Sequence, residues 1–262
     1  MKALNVRVDN LSLSRAKRML ARFVESGQYH QVVTVNPDFV MLARKNTIFQ
    51  NVINEADLSL ADGVGLNLPA FLQGIELKER IPGSDLTEYL LAYAQEKQLI
   101  VFLLARADGL SSYVETKAAI LQRYPRSIVR GLDVNTHSQE AINHALAVTH
   151  GNIILCNFGA PEQDIFLARL KQVPDSDALI GMGVGGTFDF LTGKLRRAPL
   201  IIRRLGLEWL WRLILQPRRR LKRTFNYVVI YSLLCMREAF VAFWNERVST
   251  PFLEKVSLRS RF

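Results

Sequence analysis

The chain has 262 residues, 49% hydrophobic and 22% charged, with 15 Gly and 9 Pro, which excludes a disordered, collagen-like or coiled-coil protein. Its formal charge of +10 is unevenly placed: residues 194–223 hold 11 basic residues against Glu208 alone, while the remainder, with 23 basic and 23 acidic residues, is neutral. A neutral body carrying one basic segment directs that segment at something anionic, whether nucleic acid, phospholipid or a phosphorylated ligand.

The opening stretch, MKALNVRVDNLSLSRAKRML, has neither an apolar h-region nor a small-residue cleavage site and is not expected to be a signal peptide. Short apolar runs predict strands at residues 3–8, 31–35, 58–61, 99–104, 128–132, 152–156 and 178–182. Between them, helical periodicity predicts helices at 15–26, 37–45, 63–72, 84–97, 111–123, 138–149 and 162–170. Such alternation implies an α/β fold, a mostly parallel sheet with helices on both faces. Past Lys194 the pattern is helical only, with Trp209, Trp211, Phe225, Tyr227 and Tyr231 interleaved among Leu, Ile and Arg, and with Pro199 and Pro217 where helices would begin. The expected division is an α/β domain over residues 1–194 and a basic amphipathic appendage over 195–262. Aromatic rings there suit a headgroup boundary and arginines suit anionic lipid; a helical hairpin packed on the sheet with solvated arginines is the plainer alternative. The longest nearly unbroken apolar stretch, Phe225 to Met236, is 12 residues, against roughly 20 needed to cross a bilayer, so no span is expected.

Two cysteines, Cys156 and Cys235, cannot form a disulfide framework, and His30, His137, His144 and His150 lie singly, without a spacing suited to zinc. A cytoplasmic setting without metal is the expectation. Ligands of an open parallel sheet bind at the carboxyl ends of its strands, which directs attention to the loops at 34–38, 61–65, 105–109, 157–163 and 183–189. Asn, Asp and Gly there also serve as helix caps and turn residues. Gly181-Met-Gly183-Val-Gly-Gly186 matches the dinucleotide fingerprint, but the chain then runs into the basic segment without the further strand and acidic residue that a nicotinamide site requires. Its glycines better suit close approach of backbone N–H groups to a phosphate or sugar. No P-loop and no G-x-S-x-G occurs. Asp62 directly follows the apolar Leu58-Ser-Leu-Ala61 and precedes Gly63, a strand-end position from which a carboxylate can act as general base towards a hydroxyl or cap a helix.

Six spaced motifs occur in order: Thr34-Val-Asn36-Pro37; Ala61-Asp62-Gly63-Val-Gly65; Arg80-Ile-Pro-Gly83-Ser-Asp85; Gly159-Ala-Pro161-Glu-Gln163; Gly183-Val-Gly185-Gly186-Thr-Phe-Asp189-Phe; and Arg197-Ala-Pro199 followed by Gly206-Leu-Glu208-Trp209. In these, over about residues 5 to 225, the chain resembles the WecG/TagA/CpsF family of bacterial glycosyltransferases. The resemblance implies a Rossmann-like catalytic domain that moves a sugar, with inversion, from a UDP-sugar to the 4-hydroxyl of N-acetylglucosamine on undecaprenyl diphosphate, in cell-envelope or exopolysaccharide synthesis. It implies no required metal or other cofactor, and an appendage that docks on the inner face of the cytoplasmic membrane and completes the site. Asp62 matches the family's base. Arg80, with Arg212, Arg219 and Arg223 of the appendage, matches positions suited to the departing diphosphate, where arginine's bidentate fork fits phosphate oxygens. Thr34 and Asn36 match a polar pair at the acceptor crevice, Gln163 a polar residue near the donor, and Gly183, Gly185 and Gly186 the close-approach loop. Arg218, Arg220 and Lys222, with Trp209 and Trp211, are assigned to the lipid surface.

The chain departs from the family pattern at Ala105-Arg-Ala-Asp-Gly109, at Leu132-Asp-Val-Asn-Thr-His137, at Gln163-Asp164 and at Gln216-Pro217. Both of the first two are strand-end loops, which leaves a glucose, N-acetylmannosamine or uronate donor open. Whether identical subunits associate is also open. The competing class is a non-catalytic nucleic-acid- or membrane-binding module, which would use the arginines and aromatics but would leave Asp62, Arg80 and Gln163 without a purpose. A membrane-associated relative that has lost activity is a third reading. A nucleic-acid partner is not expected.

Overall fold

A computed structural model describes residues 1–174, 176–215 and 217–259, with the side chains at 212, 219, 220, 222, 223, 227 and 246–259 outside the description. Six strands form one sheet in the order β4-β3-β8-β7-β5-β6, every pairing parallel: β3 (His30–Val35), β4 (Leu58–Ala61), β5 (Ile100–Arg106), β6 (Ile128–Val134), β7 (Ile153–Cys156) and β8 (Ile180–Gly183). The expected fold class holds. Side-chain alternation divides each strand between two apolar layers: Val32, Leu58, Leu60, Val101, Leu103, Ile153 and Leu155 face one core, Val33, Val35 and Ala61 a second, and Phe102, Leu104, Ile154 and Cys156 a third. This is why the central strands read as continuous hydrophobic runs.

The first core is covered by α1 (Leu13–Glu25), α5 (Gly83–Lys97) and α6 (Tyr113–Arg123); the second by α2 (Pro37–Ala43), α3 (Thr47–Glu55) and α4 (Asn67–Leu72); the third by α7 (Gln139–Val148) and α8 (Glu162–Leu170). Helix α3 is an addition to the sequence reading. Asn46 caps it by accepting from Phe49 N–H, and Phe49 and Ile53, one turn apart, are buried. The predicted strand at 3–8 is instead a small antiparallel hairpin, β1 (Lys2–Ala3) and β2 (Val6–Arg7). Leu4 and Asn5 both have positive φ, 47° and 69°, the two-residue reversal that matches strand twist. The predicted helix at 63–72 starts with a 3-10 turn at Val64–Leu66 before α4.

After β8 come α9 (Thr187–Leu191), α10 (Leu200–Arg204), α11 (Glu208–Leu215) and α12 (Pro217–Phe225), then a π-helical stretch at Asn226–Ile230 and α13 (Tyr231–Arg259). The last three run nearly end to end. An 18-residue window at Val228–Asn245 has a mean hydropathy of 1.3 and is 11% buried, so the 12-residue apolar limit read from the sequence is revised: Arg237 and Glu238 interrupt the run, but the helix continues through Phe240, Val241, Phe243 and Trp244. By length and composition this window could cross a bilayer. Its first turns, however, are fixed to the body, where Tyr231 (1% exposed) and Cys235 (3%) join the second core beside Ala3, Val6 and Phe39.

Candidate active site

At the carboxyl end of β4, Asp62 N–H donates to Val35 O at 2.7 Å, carrying the pairing with β3 one residue past the strand. The segment before α5 lies along the same end: Ile81 N–H donates to Ala61 O at 2.8 Å, and Gly83 N–H donates to Asp62 Oδ2 at 3.4 Å. The following turn begins at Gly63, which places Asp62 one residue outside its capping position. Thr34, from the adjacent β3, abuts this point: a Cβ on Gly83 would fall 2.9 Å from its Oγ1. Asn36 caps α2, its Oδ1 accepting from Asp38 and Phe39 N–H at 3.0 and 3.1 Å. Thr34, Asp62 and Gly83 thus meet at the carboxyl end of β3 and β4, with Asn36 just after β3.

Gln163, expected near the donor, lies between the turn after β7 and the loop after β8. It is 2% exposed, and its Oε1 accepts from Gly159 N–H at 3.2 Å and Gly185 N–H at 3.1 Å. The amide braces the β7–α8 turn against the loop after β8. Gly183 must be glycine for this arrangement, since a Cβ there would sit 2.2 Å from Gln163 Nε2. Gly185 has φ +49° and Gly186 precedes the first turn of α9. Ser111, which is fully buried, donates to Asp189 Oδ1 at 2.8 Å and ties α9 to the loop after β5.

Arg80 ties the segment before α5 to the end of α10: its Nη2 donates to the Arg203 carbonyl at 2.7 Å. Nearby, Arg197 Nη2 donates to Asp85 Oδ1 at 2.6 Å, and Arg203 Nη1 lies 3.7 Å from the same oxygen. Gly206 then lets the chain turn tightly against the body, with φ +73° and a would-be Cβ 1.9 Å from Val64 Cγ1. Sequence reasoning missed Arg197, Arg203 and Asp85 as a group, because 112 residues separate Asp85 from Arg197 and only the fold brings them together. Arg212, Arg219 and Arg223, expected at the diphosphate, and Arg220 and Lys222, expected at lipid, have side chains outside the described residues; α11 and α12 carry their backbone. Arg218 is exposed, Trp209 is half-buried, and the half-buried Trp211 donates from Nε1 to Arg196 O at 3.2 Å.

The two departing loops meet each other. Arg106 Nε and Nη2 donate to Asp108 at 2.5 and 3.1 Å, Nη1 donates to Phe158 O at 3.4 Å, and His137 Nε2 lies 3.4 Å from Nη2. The guanidinium holds the Asp108 carboxyl below its usual range. Among the described residues no group of three or more His, Cys, Asp or Glu is placed to hold a metal ion. In the first turn of α8, Asp164 is 1% exposed, and neither carboxylate oxygen has a hydrogen-bond partner. Burial pushes its carboxyl up to about 7.

A sequence profile of the glycosyl transferase WecG/TagA/CpsF family matches residues 1–243. The chain belongs to this family of glycosyltransferases. Among relatives of this transferase is the N-acetylglucosaminyldiphosphoundecaprenol N-acetyl-beta-D-mannosaminyltransferase of Bacillus spizizenii, 28% identical over 214 residues, a match covering 81% of each chain. In this transferase Thr34, Asp62, Gly83 and Arg80 lie at the β3–β4 side of the sheet, and the loops at 105–109 and 132–137 follow β5 and β6, on the opposite side.

Proposed function

We propose that this glycosyltransferase moves a sugar from a UDP-sugar to the hydroxyl of an undecaprenyl-diphosphate-linked N-acetylglucosamine-type acceptor, with inversion, at the inner face of the cytoplasmic membrane. The observation that carries this reading is the position of Asp62 at the β4 end, beside Thr34, with the segment Ile81–Gly83 that follows Arg80 bonded along the same strand end. The name of the Bacillus relative supports the acceptor class and makes N-acetylmannosamine the first donor sugar to test. In the reaction the acceptor oxygen attacks the anomeric carbon while Asp62 takes the hydroxyl proton. The bond from that carbon to the UDP oxygen breaks, and UDP leaves with the electron pair. Fixed cations and N–H donors aimed at the growing negative charge stabilise such a departure, which assigns Arg80 and the appendage arginines 212, 219 and 223 to the diphosphate. Gln163 acts indirectly, by holding the loop at Gly183–Gly186 in shape.

Residues 195–262 form the appendage of this reading. Among its exposed apolar side chains, Leu200, Ile201 and Ile214 lie on the helices that carry the basic cluster, and Phe240 and Trp244 lie beyond them on α13. That combination suits an anionic bilayer surface, and with Tyr231 and Cys235 sealed in the core it favours a helix lying on the membrane over one crossing it. The decisive experiment is transfer from a panel of UDP-sugars to a short-chain prenyl-diphosphate N-acetylglucosamine, with the anomeric configuration of the product read by NMR. An inverted disaccharide linkage supports the reading; no transfer from any UDP-sugar refutes it.

A further inference from the structure

Two guanidinium groups, Arg197 and Arg203, converge on Asp85 where α10 meets the start of α5, and the Arg80 guanidinium joins them at the Arg203 carbonyl. Arg197 and Arg203 both approach Asp85 Oδ1, at 2.6 and 3.7 Å, while Arg80 reaches the Arg203 carbonyl at 2.7 Å. Two cations thus share the one Asp85 oxygen, an excess of positive charge at this contact. The arginines are the more buried partners, their side chains 20% and 24% exposed for Arg197 and Arg203 against 40% for Asp85. Arg197 Nε and Arg203 Nε are moreover buried without any acceptor. A buried N–H donor without a partner is costly, and buried donors are nearly always satisfied. A latch tying α10 to α5 would need one of these arginines. The excess charge and the two orphaned donors call for a further anion with several acceptor oxygens, which arginine's planar fork matches in phosphate. The position is also informative: Asp85 lies two residues after Gly83, whose N–H meets Asp62.

We propose that Arg197 and Arg203, together with Arg80, form a diphosphate-binding subsite beside Asp62, and that Asp85 occupies its cations until the ligand arrives. This rests on the reading of Asp62 as the reacting edge, and it adds two binding residues and a competing carboxylate to it. The UDP-sugar and the lipid-linked acceptor both carry the diphosphate chemistry, so either can fill the subsite.

Asp85 gives the test its sign. Calorimetric titration of the full chain would use inorganic pyrophosphate for the shared chemistry, and UDP and a short-chain prenyl-diphosphate N-acetylglucosamine for the two sources. Arg203→Gln should weaken pyrophosphate binding by about tenfold or more, the loss of a charge-assisted hydrogen bond, and Asp85→Asn, by removing the competitor, should tighten it. Whichever of the other two ligands follows the same pattern is the natural source. A latch alone would lower the melting temperature in both variants and leave the affinities unchanged. The subsite is overturned if the wild-type protein does not bind pyrophosphate, or if the two variants shift its affinity in the same direction or not at all. Sugar transfer measured on the wild-type protein in parallel reports on the proposed function separately. Should Arg203→Gln not fold, Arg197→Lys, which keeps the charge and loses the fork, takes its place and should weaken pyrophosphate binding.

Discussion

Asp164 offers the sharpest link between a buried side chain and a measurable quantity. Its carboxyl is raised from 3.8 to about 7, chiefly by burial, with the adjacent Gln163 amide opposing the shift but not reaching hydrogen-bonding geometry. In the unfolded chain the group ionises near 3.8, so between that pH and 7 the folded state binds the extra proton and stability falls as pH rises. With about 1.4 kcal/mol per unit, the cost of keeping Asp164 in the core is about 2 kcal/mol at pH 5 and about 4 kcal/mol at pH 8. Asp164→Asn keeps the shape and removes the ionisation. Urea denaturation followed by tryptophan fluorescence at both pH values should show the variant gaining about 2 to 3 kcal/mol on the wild type between pH 5 and pH 8. Equal wild-type and variant stabilities at the two pH values, or a variant that loses ground on going to pH 8, would refute the reasoning and mean that Asp164 has a partner in solution.

Replacing Asp62 by Asn should leave the melting temperature close to wild type and lower turnover by roughly 10²-fold or more, the usual scale of general-base catalysis; transfer at the wild-type rate would remove Asp62 from the mechanism. Activity should persist in excess EDTA, because the described residues offer no cluster of metal-ligating side chains; loss in EDTA with recovery on adding Mg²⁺ would contradict the arginine account of leaving-group departure. Binding to vesicles containing anionic lipid should weaken as salt is raised, since each basic residue near the surface contributes about 1 kcal/mol that is screened. Phe240→Ser with Trp244→Ser, two exposed rings stacked 6.3 Å apart, should weaken vesicle binding while sparing transfer to a short-chain acceptor. Removing everything after Leu195 would not separate these roles, because it would uncover the core face that Tyr231 and Cys235 close.

Strand and helix positions were legible where burial on both faces imposes apolar runs, as at Leu58–Ala61 and Ile153–Cys156, and where periodicity is strong, as at Glu162–Leu170. The hairpin at Lys2–Arg7 escaped because Leu4, an apolar residue in a left-handed conformation, hides a turn inside what reads as a strand. Helix α3 escaped although Asn46 and the Phe49–Ile53 spacing signal it, because Arg44–Lys45 marks an end to the preceding helix. In the site, Asp62 and Thr34 were legible as strand-end polar residues. The bracing role of Gln163 was not legible, since its partners are backbone N–H groups of two separate loops. The pairing of Asp85 with Arg197 and Arg203 was illegible, being a product of the chain's return across the sheet.

Tyr231 and Cys235 share a hydrophobic cluster with Ala3, Val6 and Val8, which means that the first and last parts of the chain close the same core. During synthesis the N-terminal hairpin, α2 and α3 emerge early, yet their outer face waits for α13 before it is covered. The second core therefore stays open until the start of α13 has left the ribosome, and its final contacts are long-range ones, formed late. The basic helices precede α13 in the chain, so a nascent chain in that state already carries its arginines beside an apolar face, and the charged surface exists before that core is closed.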